Sequence, residues 1–330
     1  MPVTFPRRLK LAQTPTPLQP LDRLSAELGG PRIWVKRDDM TGCGVSGNKI
    51  RKLEFSLAAA IDSGCDTIIT AGGVQSNHCR TTALLSAQLG LRCHLILRGA
   101  EEAADGNLLL DRLAGAEISF YSNSEYCARE TEILNEWQNH YRDQGNKAYC
   151  IPVGASDGVG LWGYIAACQE LADDFAKQQI KPAHIITATG SGGTQGGLTV
   201  GSELFGLDAK VWGINVCDNR QYFIDKVTDD VSQWIDWYKP AFALPQLQVN
   251  VIDGYVGAGY ARCSAEVFET IKRLARTEGI VLDPVYTGKA FHGLIDQIGK
   301  GRFGDGGDVV FIHTGGLFGL FPQRDQLSFP

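Results

Sequence analysis

Lys49 stands just past the glycine-rich run Thr41-Gly42-Cys43-Gly44-Val45-Ser46-Gly47 and opens a helical pattern, Gly47-Asn48-Lys49-Ile50-Arg51-Lys52-Leu53-Glu54. Glycines let a backbone approach a bound molecule closely. A lysine amine held there can reach a cofactor aldehyde and form a Schiff base. A lone lysine at a helix start is ordinarily a solvated surface group, so this chemistry needs further motifs to support it.

Three such motifs exist. In Gln75-Ser76-Asn77-His78 a glycine turn feeds a helix start, whose unpaired N–H groups and dipole suit a small carboxylate. Plain capping by Ser76 and Asn77 accounts for the same residues. His78 is either a proton shuttle or a packing residue. The second motif, Thr189-Gly190-Ser191-Gly192-Gly193-Thr194-Gln195-Gly196-Gly197, has the order strand, hydroxyl-bearing glycine loop, helix, which is the layout of a phosphate cup. It lacks the Gly-Lys-Ser/Thr of a Walker loop, and Gln195 breaks the dinucleotide fingerprint. The third is Asp283-Pro284-Val285-Tyr286-Thr287-Gly288-Lys289-Ala290, with Tyr260 set between glycines upstream. Each phenol either packs, donating one hydrogen bond, or delivers a proton. His313-Thr314-Gly315-Gly316 offers one more wall of a cleft.

The elements that must hold these motifs alternate. Short β-branched runs (33–36, 66–70, 93–97, 118–120, 148–152, 184–188, 211–215, 309–312) are separated by helical stretches (48–62, 76–89, 107–114, 125–144, 160–176, 193–205, 264–278). Such alternation predicts an α/β protein with parallel sheets and right-handed crossovers, binding ligands at the carboxyl ends of its strands. The stretch 218–247, with its acidic cluster, tryptophans and Pro240, is expected to be irregular helix and loop.

At 330 residues, the chain suits two domains or one large α/β unit. With 31 basic against 37 acidic side chains, its net charge of −6 gives no footprint for nucleic acid or an anionic membrane. No apolar stretch is long enough to span a bilayer, and residues 1–8 lack the apolar core of a secretory signal. Nine scattered cysteines without a Cys-x-x-Cys pair predict neither a disulfide framework nor a metal site, and fit thiols in a reducing cytoplasm.

Together the segments Phe5-Pro6-Arg7, Thr14 to Leu18, Lys36 to Asp39, Gly47 to Phe55, Gln75 to His78, Thr189 to Gly197, Asp283 to Lys289 and His313 to Gly316 resemble the ACC (1-aminocyclopropane-1-carboxylate) deaminase / D-cysteine desulfhydrase family of pyridoxal-phosphate enzymes. The likeness covers nearly the whole chain. It implies fold type II, similar to the tryptophan synthase β chain: two open parallel-sheet α/β domains with pyridoxal 5'-phosphate in the cleft. It also implies a larger domain at 1–52 and 162–330, a smaller one at 53–161, and a homodimer. By the resemblance Lys49 is the Schiff-base lysine, and Asn77 partners the ring hydroxyl. Asn48, Thr189, Tyr286 and Thr287 line the cofactor, and Gly190, Ser191, Gly192, Gly193 and Thr194 form its phosphate cup. Ser76 takes the substrate carboxylate, while Tyr286 and Tyr260 lie over the substrate. His78, Trp162, Gly316 and Leu317 complete the substrate walls.

Thr287 is the discriminator within the resemblance. ACC-opening members carry Glu there, which keeps the pyridine nitrogen protonated. Threonine hydrogen-bonds a neutral nitrogen and leaves a weaker electron sink, enough for β-elimination of a good leaving group. Ser46, Leu161-Trp162 and Leu317-Phe318 depart from the family pattern and could reshape the pocket. The expected activity is α,β-elimination of a β-substituted amino acid, D-cysteine first. An L-cysteate sulfo-lyase and an ACC deaminase are the alternatives. A non-catalytic pyridoxal-phosphate carrier or small-ligand sensor is the alternative of another class.

Overall fold

A computed structural model describes residues 3–240, 247–304 and 307–329. Along the chain the first elements are β1 (Leu18–Pro20), α1 (Asp22–Leu28), β2 (Ile33–Lys36), α2 (Lys49–Asp62), β3 (Thr67–Gly73) and α3 (Asn77–Gln88). Next come β4 (Arg92–Arg98), α4 (Gly106–Leu113), β5 (Glu117–Tyr121), α5 (Asn123–Asp143), β6 (Ala148–Ile151), α6 (Trp162–Gln178) and β7 (Pro182–Thr189). The chain continues with α7 (Gly193–Leu204), β8 (Lys210–Asn215), α8 (Arg220–Tyr238), β9 (Asn250–Ile252), α9 (Ala265–Glu278), α10 (Thr287–Gly299) and β10 (Asp308–Ile312).

The strands form two sheets, a six-stranded one in the order β1-β2-β10-β7-β8-β9 and a four-stranded one in the order β5-β4-β3-β6. All pairings are parallel except that of the edge strand β1 with β2. Parallel sheets are covered on both faces, and side chains in the larger sheet divide accordingly. Ile33, Val35, Ile186, Val309 and Phe311 pack under α9 and α10. Their neighbours Trp34, Ile185, Val310 and Ile312 face α6 and α7. In the smaller sheet Leu95 and Leu97 pack against α3 and α4, while Ile69, Ala71 and Ile96 meet α5. Helix α2 packs Leu53 and Leu57 onto Ile68 and Ile151 of this sheet.

The alternation expected from the sequence is present, with one correction. Most of the stretch expected to be irregular is a single 19-residue helix, α8. Its start is fixed by Asn219, whose side chain accepts a hydrogen bond from the Tyr222 N–H at 2.9 Å. Phe223, Val227, Val231 and Trp234 recur on one buried face, a periodicity masked by the interleaved acidic residues. Residues 241–246 of that stretch lie outside the described residues. The three-residue strands β1 and β9 and the short helix α1 are additions to the expected elements, because runs so short carry little period.

Candidate active site

The motifs meet where parallel strands end, at the carboxyl edges of β3, β7 and β10. Helix α2 begins at Lys49 after a loop pinned from several sides. Gly47 has φ 109° and donates its N–H to the carbonyl of Asp38 at 3.0 Å and to Thr41 Oγ1 at 2.9 Å. A Cβ on Gly47 would come 2.7 Å from the Thr314 carbonyl oxygen, so only glycine fits. The next N–H, of Asn48, donates to that same carbonyl at 3.1 Å, locking the lysine loop to the turn after β10. One residue past Lys49, burial of Ile50 seats the helix.

Among the described residues the amine of Lys49 has no carboxylate partner. Burial pulls its pKa down to about 8, with Cys79 and Cys217 pulling weakly the other way. It sits beside Gly154, where a Cβ would lie 3.2 Å from Nζ and 3.1 Å from the Ser191 Cβ. Lysine and cup therefore share a wall.

The carboxyl end of β3 supplies the second wall. Ser76 caps α3 by accepting the Cys79 N–H at 3.2 Å, which leaves its hydroxyl proton unassigned to the helix. Gly72 must lack a side chain, since a Cβ would fall 2.7 Å from both the Ser76 Cβ and the Cys79 Sγ. Asn77 opens the helix, with its Oδ1 accepting from Asn107 Nδ2 at 3.2 Å. His78 is turned inward. Thr70 gives its proton to the Ile151 carbonyl at 2.7 Å, so the imidazole Nε2–H must donate to Thr70 Oγ1 at 2.8 Å. Burial, then Lys49 and Lys52, hold that ring far below the usual histidine range. His78 is thus a buried, neutral ring whose Nε2 is committed to Thr70.

The third wall is the cup after β7. Gly192 (φ 87°) turns the chain into α7 with no side-chain cap of its own. Thr194 Oγ1 accepts from Asn48 Nδ2 at 2.9 Å, tying the cup to the residue before the lysine. Tyr286 closes over Gly190, where a Cβ would come 2.9 Å from its ring. The hydroxyls of Tyr260 and Tyr286 lie 2.6 Å apart. Burial raises both phenols, Tyr260 to about 12 and Tyr286 further, so both hold their protons. Tyr260 also crosses to the smaller sheet, its ring 3.0 Å from where a Cβ on Gly73 would stand.

Thr287 is buried at the start of α10, and its hydroxyl serves Asp283 in both directions. It donates to Oδ1 at 2.7 Å and accepts the Asp283 N–H at 2.9 Å. The Asp283 carboxylate also takes the backbone N–H groups of Val285, Tyr286 and Thr287, each at 2.8 Å. Gly316 (φ 107°) packs directly on Asp283, and Leu317 beyond it is 42 % exposed. Trp162 is not brought to the cleft. It is 3 % exposed and ringed by Phe5, Phe55, Trp234 and Tyr238, which corrects its expected place in the substrate wall. The cause is direction: at the first turn of α6 its side chain faces α8 and the N-terminal segment.

A family model described as "Pyridoxal-phosphate dependent enzyme" matches residues 9–315. The chain belongs to this family. It is 42 % identical over 331 residues to an Arabidopsis thaliana protein named bifunctional D-cysteine desulfhydrase/1-aminocyclopropane-1-carboxylate deaminase, covering 96 % of this chain and 80 % of that one. It is 43 % identical to a putative 1-aminocyclopropane-1-carboxylate deaminase of Thermotoga maritima, covering 97 % and 99 %. It is 39 % identical to a D-cysteine desulfhydrase of Klebsiella pneumoniae, covering 98 % of each. A crystal structure of an ACC deaminase homologue superposes with a TM-score of 0.87 at 37 % identity, over 97 % of this chain and 95 % of that one.

The cofactor of this family of enzymes is pyridoxal 5'-phosphate, and the residues present fit it. Lys52, one turn beyond Lys49, is fully buried, and its Nζ donates to Ser156 Oγ at 3.2 Å; among the described residues Asp230 and Asp157 act on it only from a distance. Burial, then Lys49, depress its pKa strongly. A buried amine without an acid partner is costly unless an anion meets it. Ser156 Oγ also accepts the first N–H of α7, from Gly193, at 3.1 Å. A Cβ on Gly193 would come 2.7 Å from that oxygen and 2.9 Å from Lys52 Nζ. Amine, hydroxyl and helix N–H groups converge as a phosphate requires. Sequence reasoning missed Lys52 and Ser156 as site residues, although Lys52 lies within the same motif as Lys49. It missed Cys217 too, at the end of β8, whose Sγ lies 3.4 Å from the Gly190 carbonyl.

Proposed function

We propose that this enzyme is a lyase that removes the α-proton and the β-substituent of a small amino acid, D-cysteine first, giving pyruvate, ammonium and hydrogen sulfide. The observation that carries the choice is the state of Asp283. Position 287 is an uncharged threonine, and the carboxylate behind it is already engaged by three backbone N–H groups and the Thr287 hydroxyl. Neither Asp283 oxygen is left to hold a proton on a ring nitrogen arriving at Thr287. A weakly held electron pair suffices to expel thiolate but not to open a cyclopropane ring.

When bound, pyridoxal phosphate supplies an aldehyde carbon for covalent capture of amines and an electron sink for the α-carbon. The chain's own groups do the rest. Lys52, Ser156, Ser191, Thr194 and the start of α7 hold the phosphate. Asn77 meets the ring oxygen. The Ser76 hydroxyl and the first N–H groups of α3 hold the substrate carboxylate. Lys49 Nζ, neutral near its depressed pKa, takes the α-proton. A proton from Tyr286 or Tyr260 reaches the departing sulfur, and the 2.6 Å contact between the phenols lets either one resupply the other.

The test is a parallel assay of purified holoenzyme with D-cysteine, L-cysteine, L-cysteate and ACC. Sulfide and pyruvate from D-cysteine are expected. Ammonium and α-ketobutyrate from ACC would overturn the choice in favour of a deaminase. A yellow protein inert towards all four would point to a carrier or sensor.

A further inference from the structure

We propose that Asn107 is a positioning residue that decides which end of the Asn77 carboxamide faces the cleft, a role that rests on the proposed contact between Asn77 and the cofactor's ring oxygen. Asn107 Nδ2 lies 3.0 Å from the main-chain carbonyl oxygen of Gln75 and 3.2 Å from Asn77 Oδ1. A main-chain carbonyl can only accept, so the Asn107 atom beside it is the NH2. That same group then donates to Asn77, and the Asn77 atom meeting it must be the oxygen. Donor and acceptor roles propagate from an unambiguous backbone group through two side-chain amides, each ambiguous alone. The NH2 of Asn77 is left for the cleft.

Asn107 is well held for this task. It is fully buried in the first turn of α4, and its own N–H donates to Gln75 Oε1 at 2.9 Å. The other end of that Gln75 amide donates to the Asp105 carbonyl at 3.1 Å. Asp105 in turn caps α4 by accepting the Gly106 N–H at 2.7 Å, and its other carboxylate oxygen pairs with Arg324 at 2.6 Å. Rotating the Asn107 amide would set its oxygen against the Gln75 carbonyl, replacing that hydrogen bond with a repulsion even if Asn77 turned with it.

An NH2 aimed at the ring oxygen stabilises that oxygen's deprotonated form. It competes for the lone pairs that otherwise help hold a proton on the lysine–cofactor linkage. The visible absorbance of the bound cofactor reports that proton, so its pH midpoint is the readout. Asn107→Ala should raise the midpoint by about one unit, a tenfold change in proton affinity. Asn107→Asp, which only accepts, should draw the Asn77 NH2 away from the cleft and raise it at least as far. Asn77→Ala should give a similar rise, and Asn77→Ala combined with Asn107→Ala should add nothing to it.

A shift in Asn77→Ala with none in Asn107→Ala overturns the proposal alone, as does a full Asn107→Ala shift that persists without Asn77. An unshifted Asn77→Ala overturns the ring-oxygen contact and the proposal with it. Should neither position-107 variant fold, the unaltered protein carries the test through its side-chain 15N–1H signals. Cofactor addition should move the NH2 of Asn77 strongly and that of Asn107 weakly, and an unresponsive Asn77 NH2 overturns the proposal.

Discussion

Two lysines one turn apart illustrate how burial prepares residues for different tasks. With its pKa near 8, the Lys49 amine is partly neutral at physiological pH and can attack an aldehyde. The rate at which apoprotein takes up pyridoxal phosphate should therefore climb with pH and level off above about 8, as followed by the rise of visible absorbance. Lys49→Ala should lose both that absorbance and turnover; a yellow, active variant would refute the assignment. Lys52 has the opposite problem, because burial and Lys49 outweigh the pull of Asp230 and Asp157 on its charge until an anion arrives. Its folded pKa lies below the unfolded one, so at neutral pH its protonation opposes folding. Lys52→Met should raise the melting temperature of the apoprotein while weakening cofactor binding by roughly ten- to a hundredfold, the worth of a charged hydrogen bond. Lys49 is legible in the sequence because a glycine loop and a helix start frame it. Lys52 is not, since only the fold shows that its turn of α2 faces the cup. Trp162 misleads because sequence spacing says nothing of which way a first-turn side chain points.

At the scale of elements, α2 is anchored by an ion cluster that the motifs only hint at. Arg51 bonds both Asp38 oxygens, at 2.7 and 2.8 Å, and Glu170 at 2.9 Å; Lys36 joins Glu170 and Asp174, each at 2.5 Å. Tyr164 donates to Asp38 at 2.6 Å. Burial pushes the Asp38 carboxyl up, but Arg51, with Lys36 and Tyr164, overcomes this and holds it below its ordinary 3.8. A depressed carboxylate stabilises the fold above its unfolded pKa, and that contribution fades as pH falls through the folded value. Arg51→Met strands Asp38 and should cost about 3–5 kcal/mol in urea unfolding at neutral pH. The deficit against wild type should shrink as pH falls from neutral, because without Arg51 burial lets Asp38 take up a proton above its ordinary 3.8. Most strands and helices of ordinary length are readable from period alone, α10 being one exception. The run from Arg220 to Tyr238 is another, because its charges, most of them on the solvent face but Asp230 buried, interrupt the apolar residues in linear order. A helical projection groups Phe223, Val227, Val231 and Trp234.

Across the whole molecule, the cleft depends on backbones that touch. Gly47 and Gly315 cross so closely that a Cβ on Gly315 would lie 2.7 Å from the Gly47 Cα. Gly315→Ala, strained further by φ 83°, should lower kcat more than tenfold through a displaced Lys49, while far-ultraviolet circular dichroism stays native. The general architecture is visible in the chain as alternating elements. The meeting of these two loops is not, since they are separated by most of the sequence and only the sheet order brings β10 beside β2.

Helix α2 runs unbroken from the amine at its first residue to Leu53 and Leu57, which grip the four-stranded sheet. Such a rod is clamped at its head, where Gly47 and Asn48 fasten it to Thr314 and Arg51 to Asp38, so its fulcrum lies there. If the smaller sheet tilts, its far end and the Ser76 turn travel while the amine stays near the pivot. Under such a tilt substrate is swung onto a stationary base rather than the base onto substrate.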